Sequence, residues 1–326
     1  SAGRLYTLDG GGIRAGHAGG LPVKDSIDNL GLFFAQFPPV HDGLIDAVLP
    51  LYEHQCQYQA GTISAARLHE RVDYFRRRRQ QRFLKKIFRA CSAFVCQRSL
   101  RRLTICDRAL ASAKMLALLD DPDASLQQAD RKYLKQGNSC TLWRAHADGH
   151  ELVVKRYNIK RFSHRIGRSL RPTRAAVSWK NAHRLEMCSI PTPKPVALVE
   201  ERFGPLRGRA WYVCEYVPGD DALVLCDPPM DKSNTAQAVA SIVSVLKQLA
   251  DCRISHGDMK GNNFILTSPG ATLIDLDAMK QHKRLPAFQR AQRRDLRRFM
   301  RNWETCPETA AMFHQQLREH GLVTGE

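Results

Sequence analysis

The sequence predicts an α+β fold, in which a small β-rich unit is followed by a helical unit and preceded by a basic, largely helical extension. Residues 127–217 contain short runs rich in β-branched and aromatic residues, separated by turn residues, as strands are. From residue 233 onward the apolar residues recur at helical spacing, and residues 64–95 show the same spacing among arginines and lysines. We therefore divide the chain into residues 1–126, 127–217 and 218–326.

Length and composition are those of a globular protein. The 326 residues suffice for two or three packed units, and a hydrophobic fraction of 43% excludes wholesale disorder. The sequence contains no apolar run long enough for a transmembrane helix, and its first residues lack the apolar core of a secretion signal, so we expect a protein that does not span a membrane. Its ten cysteines form no Cys-x-x-Cys pair, and we expect them to be reduced thiols of a cytosolic protein.

The charge favours a polyanionic partner. Fifty basic against 32 acidic side chains give +18, which suits nucleic acid, an anionic membrane surface or a phosphorylated lipid. The run 76–79 is all arginine and precedes Phe83, Ile87 and Phe88 at helical spacing. This basic amphipathic helix either packs its apolar face on the next domain or lies on an anionic membrane. No known groove-binding motif or aromatic platform supports nucleic-acid binding, so no specific nucleic acid is expected, and no protein partner is indicated.

The individual elements follow in order along the chain. Two extended runs, 133–144 and 151–157, are joined near Asp148-Gly149, a dipeptide typical of hairpin turns. The later elements are a helix over 173–187, strands at 196–200 and 210–216, a helix over 233–250, short strands at 264–267 and 272–274, and helices from 285 onward.

Two motifs in the helical part carry the chemistry. The first is a loop in which His256 and Asp258 are followed by Asn263, and the second is Asp275-Leu276-Asp277. Together they resemble the catalytic loop and the metal site of protein kinases, with a β-rich lobe before a helical lobe as in those enzymes. The apolar runs between the motifs surround a Ser-Pro-Gly turn, as the hairpin between the two sites requires.

The resemblance implies a role for each residue. Asp258 is the catalytic base that holds the substrate hydroxyl, and Lys260 contacts the transferring phosphate of ATP. Asn263 and Asp275 bind Mg²⁺ through amide and carboxylate oxygens. His256 is expected to pack rather than to react, and Asp295 to support the loop from a helix.

The β-rich part supplies the nucleotide contacts. Lys155 lies on a strand where alternation allows it to point into the cleft, and the loop containing Gly137 and Ser139 would cover the phosphates. The backbone of the linker from Glu215 to Val217 would bind adenine. Protein kinases pair the lysine with a helix glutamate, but serine stands at the expected position, 178, so Glu186 is the substitute. Gly257 and the absence of an Ala-Pro-Glu motif argue against a phosphorylation-switched protein kinase.

The runs 153–158 (VVKRYN), 190–195 (IPTPKP), 256–258 (HGD) and 274–278 (IDLDA) resemble the bacterial lipopolysaccharide core kinases, the Kdo and heptose kinase group. The similarity covers roughly residues 130–303. It implies transfer of the ATP γ-phosphate to a heptose or Kdo hydroxyl of an acidic glycolipid, by a cytoplasmic protein peripheral to the bacterial inner membrane. The positive charge fits such an acceptor and such a surface.

Three other interpretations stay open. A small-molecule kinase of the aminoglycoside or choline type would share these motifs. A pseudokinase would bind a nucleotide or a partner without turnover. A nucleic-acid-binding protein would use the basic helix 71–90 and bind duplexes with a steep dependence on salt.

Overall fold

The computed structural model describes residues 21–127, 133–137, 139–158, 171–204, 206–226, 232–268 and 270–322. These residues form eight α-helices and twelve β-strands, which confirms the α+β class. The chain divides into two compact units, Ser1–Arg79 and Gln80–Glu326. The glycine-rich stretch at residues 10–20 lies outside the described residues.

The described part of the first unit is helical. Its helices are α1 (Val23–Phe34), α2 (Gly43–Gln55) and the first part of α3 (Ala65–Lys86). Their apolar faces meet in one core, which is formed by Ile27, Leu30, Phe34, Ile45, Leu49, Ile63, Leu68 and Val72. Residues 1–79 hold nine basic and eight acidic side chains, so almost all of the excess charge lies in residues 80–326.

Within the first unit, the arginine run is held by intramolecular contacts. The Arg76 guanidinium lies 2.7 Å from an Asp42 oxygen, and Arg77 lies 2.8 Å from an Asp73 oxygen. Arg79 donates to the Gln36 carbonyl at 3.2 Å, whereas Arg78 is exposed and contacts no acid of the described chain.

The apolar residues that follow this run are part of the core of the second unit. Ile87 is fully buried, and Phe83 and Phe88 pack against the same cluster. The Phe83 ring lies 6.3 Å from Phe94 and 6.0 Å from His183, centroid to centroid. The interpretation of this segment as a helix that inserts its apolar face into a membrane is therefore wrong, because that face is covered by protein.

The second unit is built on a seven-stranded antiparallel sheet. Its strands are β1 (Phe94–Arg98), β2 (Arg102–Asp107), β3 (Tyr133–Gln136), β4 (Cys140–Ala147), β5 (His150–Tyr157), β6 (Pro195–Phe203) and β7 (Leu206–Glu215), in the order β1-β2-β6-β7-β5-β4-β3. The turn between β4 and β5 is at Asp148 and Gly149, which have φ values of 53° and 80°, as a tight hairpin requires. The predicted hairpin is thus confirmed.

The first two strands depart from the expected organisation. We expected residues 1–126 to form a separate, largely helical extension, but β2 pairs with β6, with Ile105 opposite Leu198. Four consecutive residues of β2, 103–106, are buried, so the strand shows no alternation, and a charged turn precedes it. Both features hid the strand in the sequence. The sheet therefore begins well before residue 127. Helix α4 (Ala113–Asp120) follows, with the Ser112 hydroxyl as its N-cap.

Helix α5 (Arg174–Met187) packs on the sheet and buries Trp179, whose indole N–H donates to the Ile87 carbonyl at 3.0 Å. The remaining residues form helices α6 (Lys232–Asp251), α7 (Leu285–Met300) and α8 (Pro307–Glu319), and strands β8 (Asp220–Asp221), β9 (Ile254–Ser255), β10 (Phe264–Thr267), β11 (Gly270–Leu273) and β12 (Lys280–Gln281). The hairpin β10–β11 and the pair β9–β12 carry the predicted catalytic segments.

One expectation about the cysteines is wrong. Cys226 and Cys306 form a disulfide, with Cα atoms 5.5 Å apart. The chain brings them together because Cys226 ends a short 3₁₀ helix and Cys306 precedes α8. No second disulfide is formed within the described residues, where the free thiols include Cys56, Cys91, Cys96, Cys106, Cys140 and Cys214. None of the helices in the described ranges combines the length and the apolar character needed to cross a bilayer.

Candidate active site

Helix α7 holds the loop between β9 and β10 in place. The buried Asp295 carboxylate accepts hydrogen bonds from the backbone N–H groups of His256, at 2.6 Å, and Gly257, at 3.0 Å. Burial raises the pKa of Asp295, and these N–H groups only partly offset it. Gly257 has a φ of 83°, and a Cβ there would lie 2.8 Å from the Ala278 carbonyl oxygen. A glycine is therefore required at this position. Asp295 supports the loop, as the sequence predicted.

The same loop is tied to the second motif. The fully buried His256 ring places Nε2 3.0 Å from the Ile274 carbonyl oxygen, consistent with the expected packing role. The Ile274 N–H donates to the Asn263 carbonyl at 2.9 Å, and Asn263 Nδ2 donates to the Asp258 carbonyl at 2.7 Å. These bonds place the loop beside Asp275.

Asp258 lies among cations. Its Oδ1 is 2.6 Å from Arg298 Nη2 and 3.2 Å from Lys260 Nζ. The same oxygen is shielded from solvent and makes no aligned hydrogen bond within the described residues, although the two cations are close. The short distances show that Asp258 forms an ion pair with both Arg298 and Lys260.

Asp275 and Asp277 come from a tight turn after β11. Asp275 adopts a left-handed conformation, with φ 61° and ψ 57°. The next three residues form a 3₁₀ turn, and the buried Asn181 side chain of α5 donates to the carbonyls of Leu276, at 2.8 Å, and Met279, at 3.0 Å. Helix α5, which packs on the sheet, thus positions the turn that carries Asp275 and Asp277.

Lys155 reaches these carboxylates from β5. Its Nζ forms a short ion pair with Asp275 and lies 3.5 Å from Asp277, which also pairs with Arg174 at 2.7 Å. Burial disfavours the ammonium, but the carboxylates outweigh it and raise the pKa of Lys155 above its usual value. Burial also raises the pKa of the adjacent Tyr157, which stays protonated at neutral pH. Lys155 is therefore charged and points towards the predicted metal-binding motif.

The predicted pairing of Lys155 with Glu186 is wrong. Glu186 lies 2.9 Å from His183 Nδ1, and its side chain is 39% exposed. Ser178, at the position where a glutamate was sought, instead shares a 2.8 Å hydrogen bond with the Tyr157 hydroxyl. Asp277 takes the place of the missing acid. In the sequence, the position of Asp277 two residues after Asp275 was the signal that could have identified it as the partner of Lys155.

The predicted phosphate-covering loop joins β3 to β4. Gly137 N–H donates to the Cys140 carbonyl at 3.1 Å, which closes the turn. Asn158, just after the Lys155 strand, donates its side-chain N–H to the Gly137 carbonyl at 3.2 Å and its backbone N–H to the Ser139 carbonyl at 3.1 Å. The loop is thereby fastened to the end of β5. Asn138 lies outside the described residues.

The linker after β7 leaves a donor available. The N–H groups of Glu215 and Tyr216 are used, by the carbonyls of Lys194 and Glu151, each at 2.9 Å. Val217 N–H makes no backbone hydrogen bond to any described residue. An adenine ring could accept from this group.

The predicted metal ligands suit a hard cation. Asn263 directs its Nδ2 to Asp258, so its Oδ1 makes no hydrogen bond within the described ranges, although the residue is 6% exposed. Asp275 uses Oδ1 for Lys155, and its Oδ2 has no partner among the same residues. Both oxygens fit Mg²⁺. The described part of the chain contains no cluster of three or more His, Cys, Asp or Glu that would hold a metal without further ligands.

Three contributing residues were missed in the sequence. They are Arg174, Asn181 and Arg298, which contact Asp277, the turn after Asp275, and Asp258. Arg298 lies within a visible arginine-rich stretch, whereas nothing in the sequence distinguishes Arg174 or Asn181 from ordinary helix residues.

Comparison with known proteins agrees with this geometry. No curated protein shows significant similarity to the chain. Residues 125–319, however, match the lipopolysaccharide kinase (Kdo/WaaP) family, and this match includes the strands from β3 onward, both predicted catalytic motifs and α7. The chain belongs to the lipopolysaccharide kinase (Kdo/WaaP) family.

Proposed function

We propose that this protein transfers the γ-phosphate of ATP to a heptose or Kdo hydroxyl of the lipopolysaccharide inner core. The observation that carries the proposal is the meeting of Lys155 with Asp275 and Asp277, which come from segments 120 residues apart. Phosphoryl transfer requires a cation for the phosphates, carboxylates for the metal and a carboxylate beside the acceptor hydroxyl. Lys155 on β5, the two aspartates after β11 and Asp258 on the neighbouring loop could supply these groups. We infer that the sheet part and the helical part act as the two lobes of a protein-kinase-like fold.

The residues present divide the chemistry among them. Lys155 would hold the nucleotide phosphates, and the Val217 N–H would bind adenine under the Gly137 and Ser139 loop. Asn263 Oδ1 and Asp275 would bind Mg²⁺, which supplies charge neutralisation between the β- and γ-phosphates.

The acceptor side rests on Asp258 and Lys260. Asp258 orients the sugar hydroxyl and takes its proton as the hydroxyl oxygen bonds to the γ-phosphorus and the bond to the β-phosphate oxygen breaks. The ADP oxygen keeps the electron pair, and Lys260 lies where it can contact the transferring group.

We base the proposed location of the protein in the cell on the distribution of its charge. We infer a cytoplasmic protein that is peripheral to the inner face of the bacterial inner membrane. Residues 80–326 hold 41 of the 50 basic side chains, so we assign the attraction to an anionic surface to this unit and not to the arginine run at 76–79.

The proposal is tested by incubating the protein with labelled ATP, Mg²⁺ and purified truncated lipopolysaccharides, followed by mass spectrometry of the core. One added phosphate on a heptose or Kdo residue is expected, and an Asp275→Ala variant serves as the inactive control. Nucleotide binding without transfer to any acceptor would instead identify a pseudokinase. Transfer to aminoglycosides or choline, but not to the core, would identify a small-molecule kinase.

A further inference from the structure

Six arginines lie on one exposed face of α7 and its C-cap. They are Arg290, Arg293, Arg294, Arg297, Arg298 and Arg301. At 3.6 residues per turn they fall within an arc of roughly 140°, along about 16 Å of helix. The opposite face buries Phe288, Asp295 and Phe299 in the second unit. We call this row the α7 arginine stripe.

The stripe lacks intramolecular neutralisation. Apart from Arg298, none of its members makes an ion pair with a residue that the structure describes. Four pairs within it are spaced i,i+4, and like charges at that spacing destabilise a helix. Nothing in the packing of α7 needs these charges, because the stripe faces solvent. An anionic ligand would remove the repulsion.

The end of the stripe is at the candidate base. Arg298 Nη2 lies 2.6 Å from Asp258 Oδ1, an oxygen that is shielded from solvent. With Arg298 and Lys260 both on this oxygen, little room is left for a hydroxyl donor. The Arg298 side chain is 47% exposed and is free to turn away from Asp258 towards a ligand.

We propose that the α7 arginine stripe binds an anionic group of the acceptor saccharide, a carboxylate or a phosphate, and that Arg298 leaves Asp258 for that group when the acceptor arrives. A guanidinium matches both anions through two parallel hydrogen bonds. The charge of the acceptor then exposes Asp258 Oδ1 to the hydroxyl, so a neutral sugar is a poor substrate. This inference rests on the proposed function, and it names the feature of the acceptor that the site selects.

An anionic membrane surface is the other partner that such a stripe could meet. The contact between Arg298 and Asp258 favours the acceptor, because it places the stripe beside the group that handles the hydroxyl. A membrane contact would not require this proximity.

The test uses the full chain and deacylated inner-core oligosaccharide, which carries Kdo carboxylates and phosphates but no lipid. The variants are Arg298→Gln, Arg298→Lys and the double variant Arg290→Gln/Arg294→Gln, and Arg318→Gln on α8 is the matched loss of one exposed charge. Equilibrium dialysis without nucleotide gives the Kd of the saccharide, and transfer from ATP gives KM and kcat.

For Arg298→Gln we expect the Kd and KM of the oligosaccharide to rise about 10-fold, as for a lost charge-assisted hydrogen bond, with KM for ATP unchanged. Arg298→Lys should recover part of this loss, and Arg318→Gln should match the parent. Parallel measurements use carboxyl-reduced and dephosphorylated oligosaccharide. The modification that removes the difference between parent and variant identifies the anion.

Other outcomes separate the two proposals. Binding that depends on Arg298, without transfer by the parent, supports the stripe and rejects the kinase reaction. Equal Kd values for all variants overturn the stripe, as does a parent that does not bind the oligosaccharide. A double variant that loses binding to phosphatidylglycerol vesicles but keeps the parental Kd for the oligosaccharide overturns it in favour of a membrane contact.

Discussion

Lys155 is held between two carboxylates, and this arrangement makes its contribution to stability depend on pH. The pKa of Lys155 is raised, so its contribution is present below the ordinary value of 10.5 and is lost as pH rises through the raised pKa. Burial opposes ionisation of Asp275, but Lys155 outweighs it and lowers the carboxyl pKa; that contribution is present above 3.8 and is lost as pH falls through the lowered pKa.

We therefore expect Lys155→Met to destabilise the protein by about 3 kcal/mol at neutral pH, since Asp275 and Asp277 lose a buried partner. In denaturant titrations, the difference from the parent should shrink as pH falls below 3.8. Lys280→Met, which removes an exposed lysine, is the control. A difference that is equally large at pH 3 and pH 7 would show that packing, and not the ion pair, is what the substitution removes.

Asp258→Asn tests the base directly. The amide keeps the shape of the side chain but cannot take the hydroxyl proton, so kcat for transfer to the core should fall at least ~100-fold. ATP affinity, measured by isothermal titration, should change little because the role proposed for Asp258 is on the acceptor side. Weak ATP binding together with high residual turnover would assign Asp258 to the metal and leave the base unidentified.

At the scale of elements, the arginine run 76–79 of α3 forms stabilising contacts within the first unit. Arg76 bonds to both oxygens of Asp42, at 2.7 and 3.1 Å, and its side chain is 16% exposed. We expect Arg76→Gln to lower stability by about 1 kcal/mol, because a bidentate pair on a half-buried surface is lost. Circular dichroism melts measure this, and the exposed Arg78→Gln is the matched control. Identical melting temperatures for the two variants would rule out a stabilising role for the Asp42 contact.

The sequence predicted most of the elements, and its failures have local causes. Alternation and the Asp148-Gly149 turn located β4 and β5, since both signals are carried by adjacent residues. The strands β1 and β2 were missed because Arg98 to Arg102 interrupts the apolar pattern. Their place in the sheet depends on pairing with β6, about a hundred residues later. Long-range pairing of this kind leaves no local pattern.

The candidate site was predictable only where a motif fixed the spacing. His256, Asp258, Asn263 and Asp275 were found in this way, and Lys155 was found from strand alternation. Partners that depend on how elements pack were not found, because their positions are set in three dimensions. Glu186 was predicted to pair with Lys155 because it lies on the helix that follows the lysine strand. The acid that contacts Lys155 is instead Asp277, which reaches it from the turn packed against the sheet.

On the scale of the whole molecule, the Cys226–Cys306 disulfide closes a loop of 80 residues. This loop contains both predicted catalytic motifs. A crosslink of that length stabilises the folded state by roughly 4.5 kcal/mol in the chain-entropy model. We expect the melting temperature to fall on reduction, and the Cys226→Ser/Cys306→Ser variant to melt with the reduced parent. Non-reducing peptide mapping should recover the linked pair. A parent that is fully reduced when isolated without reductant would contradict the pairing.

The left-handed backbone at Asp275 favours glycine for stability, whereas the proposed reaction requires a carboxylate at this position. Side chains with a Cβ lose roughly 1 kcal/mol in that conformation, whereas glycine does not. Asp275→Gly should therefore be more stable than Asp275→Ala by about 1 kcal/mol in denaturant titrations, while neither transfers phosphate. Equal stabilities would show that the turn relaxes without the carboxylate. A selection for thermostability alone would drift towards glycine at this position and select a well-folded, inactive protein, so stability screens of this enzyme need an activity filter.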